Sequence, residues 1–191
     1  MGEASRTIGF AVIVVLYLSI GVMAAAGCVA IGRRFLRPRQ EQVFYGGFLV
    51  LIAAFYLAFV AYFQIGTAWR MESFAFLVFA GMGVVGARIP ALLIVGYALH
   101  GLWDLVHELQ QHGAWSAFAS GEVTTVPLAY GIFCAAFDLY VAGYVTLRRE
   151  EWSAAWRSRR ISRSPPRGGW SPSHSLSSRG WVSWAPGSRP S

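Results

Sequence analysis

Lysine and asparagine are both missing from this 191-residue chain. Their codons are rich in A and T, so a GC-rich coding sequence, bacterial by expectation, accounts for the absence. Cysteine occurs twice, at Cys28 and Cys134, each inside an apolar run, so no disulfide framework and no CxxC metal motif follows. Charge is scarce too. Charged residues make up 13 % of the chain against 55 % apolar, about half the charged share usual in soluble domains. No Walker loop, no GxGxxG ahead of a helix and no GxSxG elbow is present. The spaced histidine boxes of membrane di-iron desaturases are missing as well, because only three of the four histidines lie in the apolar body.

What charge there is sits unevenly. Up to Leu147 seven Arg face seven acids, so the body is neutral, and the whole +7 lies in the 44 residues from Arg148 on. That distribution excludes a uniformly basic nucleic-acid binder and describes a hydrophobic body with a basic tail.

The apolar runs predict an all-α, polytopic transmembrane bundle of about five spans. Ile8 to Ile31 is 24 residues without a charge, where about 20 suffice to cross the hydrocarbon core. It is too long for a signal-peptide core, and its N-terminal flank (Glu3, Arg6) is mixed in sign, so an uncleaved span is expected. Val43 to Gln64 is the second. The stretch from Phe74 to Val106 is too long for one helix and is broken by Arg88-Ile89-Pro90, so two spans joined by a tight turn at Gly86 to Pro90 are expected, near 69–87 and 90–107. The glycines at 81, 83 and 86 suit close helix packing. Val126 to Leu147 is the fifth span.

Positive charge sets the orientation. The Arg33–Gln42 loop holds four Arg against one Glu and should be cytoplasmic, as should Arg88 and Arg148-Arg149. The Glu108–Thr125 segment holds two acids and no Arg, as an outside loop should, and Arg70 is the one exception to the pattern. The expectation is N-out and C-in, in a bacterial cytoplasmic membrane.

Within this neutral body the ionisable side chains stand out, because they are costly in a bilayer and default to functional candidates. The fourth span ends in HGLWDLVHE. On a helix, His100, Asp104 and His107 lie within about 60° of one another, in a stripe about 10 Å tall. Imidazole and carboxylate together suit zinc, iron or manganese. Asp138 lies about 18 Å down the fifth span, with Tyr130 and Cys134 on its face, and is nearest in height to His100. Glu72, at the outer end of the third span, is level with Asp104 and His107. Cys134 reads as a packing residue and His112, beyond the helix, as exposed.

HGLWDLVHE followed by VPLAYGIFCAAFDLYVAGY resembles a group of small bacterial integral membrane proteins classed only as a domain of unknown function. Its members share an intramembrane HxxWDxxH helix, a later CxxxD span and a Glu ahead of the third span. The likeness covers about Arg33 to Leu147 and rests on Glu72, His100, Trp103, Asp104, His107, Cys134 and Asp138. It departs at Glu108, where many members carry His. It singles out those residues and implies no reaction.

The last 44 residues hold nine Arg, twelve Ser, five Pro and five Trp. RREEWSAAWRSRRI is expected to form at most one or two amphipathic turns, with Trp152 and Trp156 on one face. The rest of 148–191 is expected to be disordered. Its arginines would sit near anionic lipid headgroups. An Arg-Ser nucleic-acid segment is disfavoured, since low-complexity composition alone yields such strings.

Three functional readings follow. The first is a metal-dependent membrane enzyme acting on a lipid or other apolar substrate in the outer leaflet. His100, Asp104 and His107 would bind one divalent transition metal, Asp138 would be the fourth ligand or the general base, and Glu72 would support or gate the site. The second is a proton-coupled carrier or channel with Asp104, His107 and Asp138 as a relay; no internal repeat supports it, and homo-oligomerisation would have to supply the missing bulk. The third is a non-catalytic component in which the polar cluster only fixes helix packing.

Overall fold

A computed structural model describes residues 3–113 and 115–163, with side chains described between 8 and 158. Five helices make up the fold: α1 (Glu3–Phe35), α2 (Pro38–Phe63), α3 (Trp69–Gly86), α4 (Pro90–Gln111) and α5 (Tyr130–Arg163), with one 3₁₀ turn at Gly66–Ala68. No strand occurs among the described residues. Four segments, Ile8–Phe35, Pro38–Phe63, Gly66–Gly86 and Tyr130–Ser158, are long and apolar enough to cross a membrane. The chain is therefore a multi-pass helical membrane protein. The fourth helix, α4, is long enough at 22 residues, but its polar second half keeps it out of that apolar class.

Local sequence explains the breaks. Pro38 and Pro90 each open a helix at the position where a missing N–H costs nothing. Ile89 before Pro90 is extended, at φ −118° and ψ 95°, as a residue preceding proline tends to be. Gln64 closes α2 in the left-handed region, its N–H returned to the Val60 carbonyl. Of the three glycines in α3, Gly83 faces Gly46 of α2 so closely that a Cβ on either would meet the other's carbonyl oxygen at 2.5 Å; Gly81 meets nothing.

Helix α5 is the organiser. It packs most extensively against α4 and also holds α1, which otherwise makes a minor contact with α2 and sets Phe10 against His112, ring centroids 5.5 Å apart. Most of α1 is exposed, including Ile8, Val12, Val15 and Met23.

Two expectations need correction here. The fifth helix begins at Tyr130, not Val126, because Pro127 and a left-handed Ala129 (φ 57°) form a turn first. It also runs on to Arg163, so residues 148–163 are helix rather than disordered tail. The reason is a buried acid. Glu41, fully inaccessible, accepts from the Tyr144 hydroxyl, from Arg148 Nη2 at 3.0 Å and from Trp152 Nε1 at 3.0 Å. One turn on, Trp156 Nε1 donates to Gln42 Oε1 at 3.0 Å, and Arg39 Nε donates to the Ala155 carbonyl at 2.7 Å. Residues 164–191, also expected to be disordered, lie outside the described residues.

These contacts gather the arginine-bearing junctions at one end. The guanidinium carbons of Arg39 and Arg88 lie 5.1 and 6.0 Å from the Trp156 ring centroid, and Arg148 pairs with Glu41. At the other end the segment before α5 folds over α3 and α4, with Thr67 donating to the Gly121 carbonyl at 2.6 Å.

Candidate metal centre

The α4/α5 interface places the ionisable groups. Gly101, next to His100, lets α5 come close: a Cβ there would meet Asp138 Cβ at 3.2 Å. Asp138 is thereby brought against His100, its carboxylate Oδ2 2.6 Å from His100 Nδ1. Asp104, one turn along α4, puts its Oδ2 3.2 Å from the same nitrogen. The three residues are at most 1 % exposed, and a ligand atom from each lies within 4.8 Å of the others. Tyr56 of α2 donates its hydroxyl to Asp104 Oδ1, and Phe79 of α3 covers the imidazole edge at 4.9 Å between ring centroids.

Charge does not balance in this trio. A carboxylate pair in low dielectric needs compensating positive charge, from a bound cation or from a proton on one carboxyl. Even a protonated His100 supplies one positive charge against two negative ones, and among the described residues no arginine pairs with either aspartate. Three buried atoms are left without hydrogen-bond partners: His100 Nε2, Asp104 Oδ2 and Asp138 Oδ1. Buried polar groups are ordinarily satisfied, and with their ligand atoms this close the three side chains could hold a metal ion.

His107, expected as a further ligand, is engaged elsewhere. Its Nδ1 lies 2.9 Å from the Trp103 carbonyl, which only accepts, so that nitrogen carries a proton. Its Nε2 lies 2.8 Å from Glu72 Oε1. Glu72 Oε1 also accepts from the Thr124 N–H at 2.8 Å, tying the loop before α5 to α3. One imidazole and one carboxylate make a self-neutralising pair, unlike the trio below it. His107 thus stays near the cluster, linked through the Tyr56 ring at 4.5 Å, without joining it.

The remaining candidates take structural positions. Glu108 caps α5, accepting from Ala129 N at 3.1 Å and Gly131 N at 3.0 Å. His112, expected to be exposed, is exposed, with Nε2 2.9 Å from Glu108 Oε1. Cys134 is half-buried and reduced, with no contact to the trio that would make it a ligand.

Two openings approach this polar column. An apolar cleft of about 240 Å³ between α2 and α5 is lined by Phe48, Ile52, Phe55, Phe133 and Phe137, with Asp138 as its one carboxyl side chain and Cys134 on its wall. A polar pocket of about 270 Å³, lined by His107, Gln110, Gln111, Ser116 and Thr124, opens beneath the loop before α5.

Tyr56 and Glu41 went unnoticed as site and anchor residues. For Tyr56 the available signal is the buried stripe of α2, in which Gln42, Tyr45, Leu49, Ala53, Tyr56 and Val60 recur at intervals of three and four. For Glu41 it is a lone acid among four arginines.

No family model, no curated protein and no solved structure matches the chain.

Proposed function

We propose that this protein is a metal-dependent enzyme of the bacterial cytoplasmic membrane, acting on a lipid or other apolar substrate. The observation that carries the reading is the charge imbalance at His100, Asp104 and Asp138: two buried carboxylates on one imidazole, each residue with an unpartnered donor atom. One divalent ion, with zinc, iron and manganese the metals suited to this donor set, would neutralise both aspartates. His100 and Asp104 hold it, with Asp138 as third donor or as general base. The Asp138 contact to His100 Nδ1 leaves Nε2 free, the arrangement by which a carboxylate orients a metal-binding histidine. When bound there, such a metal polarises a carbonyl or activates water. Asp138 closes the inner end of the apolar cleft, so a chain entering from the bilayer would meet the site without crossing water. Glu72 acts through His107 and the Thr124 loop rather than on substrate. The motif likeness to the small bacterial membrane family rests on these same residues.

Elemental analysis of the purified protein tests this. About one equivalent of a single transition metal per chain is expected, falling to background in His100→Ala and Asp138→Asn. No stoichiometric metal in the wild type, or an unchanged content in the variants, removes the enzyme reading.

One observation favours a second reading. The direct 2.6 Å contact between His100 and Asp138 suits a trio that takes up a second proton in place of a metal, as a proton-coupled carrier or a packing device would. A metal-free wild type whose proteoliposome proton flux is lost in Asp138→Asn selects the carrier. Loss of thermal stability alone selects packing.

A further inference from the structure

The arginine-rich end of the bundle holds a third opening, remote from the metal site. It is a cleft of about 970 Å³ between the start of α2 and the end of α5, walled by Arg37, Arg39, Val43, Phe44, Trp156 and Ser158. Its lining is sorted by height. Arg37 and Arg39 stand at the rim, and Val43 and Phe44 follow one helical turn further into the bundle, about 6 Å deeper. Both apolar residues are substantially exposed, at 49 % and 40 %.

Positive charge here is not neutralised by the protein. Arg39 spends Nε and Nη2 on the Ala155 carbonyl, which is uncharged, and the Arg88 guanidinium lies 6.0 Å from the centroid of the same Trp156 ring. The nearby acids are committed elsewhere: Glu41 is buried against Arg148 and Trp152, and Glu151 pairs with Arg148. Among the described residues no carboxylate lines the cleft. Trp156 adds an indole at the level where aromatic side chains meet headgroups.

We propose that this cleft is a binding site for an anionic phospholipid of the adjacent leaflet, its phosphate held by Arg37 and Arg39 and its acyl chain lying along Val43 and Phe44. Guanidinium above and apolar surface below reproduce the order of a lipid's own parts, and a basic side chain at the surface attracts anionic lipid. The lipid would bridge α2 and α5 at the point where the Arg39–Ala155 and Trp156–Gln42 bonds already join them.

Native mass spectrometry of the full-length protein in detergent, with phosphatidylglycerol and phosphatidylcholine added at equal concentration, tests the site. Retention of phosphatidylglycerol over phosphatidylcholine is expected. Arg37→Gln should lower it roughly fivefold, the effect of one basic contact. Ser158→Glu, which places a carboxylate in the cleft at an exposed position, should lower it at least as much. Arg70→Gln at the opposite end should leave it unchanged. The proposal is overturned by equal retention of the two lipids, by wild-type retention in either cleft variant, or by an equal loss in Arg70→Gln. Displacement of the lipid by inorganic phosphate at matched concentration would show a small-anion site instead and overturn it as well.

Discussion

His100 Nδ1 and Asp138 Oδ2 meet at 2.6 Å, joining α4 to α5 across 38 positions of sequence. The same nitrogen lies 3.2 Å from Asp104, so one imidazole serves two carboxylates. Two turns away, His107 serves a single carboxylate, Glu72. The two histidines of one motif therefore do different work: the second meets the single carboxylate of Glu72, and the first lies between two.

Tyr56→Phe should separate metal affinity from assembly. The Tyr56 hydroxyl donates to Asp104, and its loss leaves a buried acceptor unpaired at a cost of about 1–3 kcal/mol. Loss of a hydrogen bond that orients a ligand typically weakens metal binding about 10–100-fold. A chelator competition with the purified variant reads the affinity directly; binding as tight as in the wild type would remove Tyr56 from the site.

Glu72 and His107 should prove energetically coupled. Removing either leaves the other buried without its partner, which costs about 3–5 kcal/mol for a broken buried ion pair. In a double-mutant cycle of Glu72→Gln and His107→Ala, followed by thermal melts in detergent, the double variant should be much less damaged than the sum of the two. Additive losses would mean that the 2.8 Å contact contributes nothing.

Two glycines of α5 should respond oppositely to alanine. At Gly131 a Cβ would run into the Asp104 carbonyl and come within 2.8 Å of Glu108 Cβ, whereas at Gly143 it meets nothing within 4 Å. Gly131→Ala should destabilise by about 1–3 kcal/mol through overpacking. Gly143→Ala should be neutral or stabilise by about 0.5–1 kcal/mol, as expected at an open helical glycine. Melting temperatures of the two variants decide it.

Trp152 should behave as core. It is fully buried and donates to Glu41, so Trp152→Ala should cost about 3–5 kcal/mol. Termination after Leu147 should be at least as damaging, since it also removes Arg148. Wild-type melting of the truncated chain would return 148–163 to the status of a dispensable tail.

Orientation can be read by cysteine labelling in intact cells. With N-out and C-in, Glu122→Cys reacts with an impermeant maleimide applied outside and Ser158→Cys does not. The reverse pattern would invert the protein, and with it the leaflet assigned to the metal site.

Much of this arrangement was legible in residue order. Apolar run lengths locate the helices, the Arg88-Ile89-Pro90 break locates the α3–α4 turn, and heights along the helices put Asp138 nearest His100, which it meets, and Glu72 level with Asp104 and His107, of which it meets His107. What stayed hidden depends on partners distant in sequence. Residues 148–163 read as a tail because their charge is local, while the acid that buries Trp152 lies 111 positions earlier. The exclusive pairing of His107 was likewise invisible, because spacing on α4 shows a shared face and not which carboxylate approaches it. Glu108 looked like an interfacial acid, yet the exposed N–H groups of a helix not yet formed were its partners.

The peripheral position of α1 has a consequence for biosynthesis. Helix α1 docks mainly on α5, so during translation it must wait in lipid without its principal partner until α5 has been made. Its apolar exterior, unbroken around the whole circumference, suits that wait. Completion of the bundle is then a late event, triggered when α5 arrives and presents Phe133 and Ala136 to Gly21. Any lesion that delays α5 should strand α1 inserted yet unassembled, exposed to the membrane's quality-control proteases.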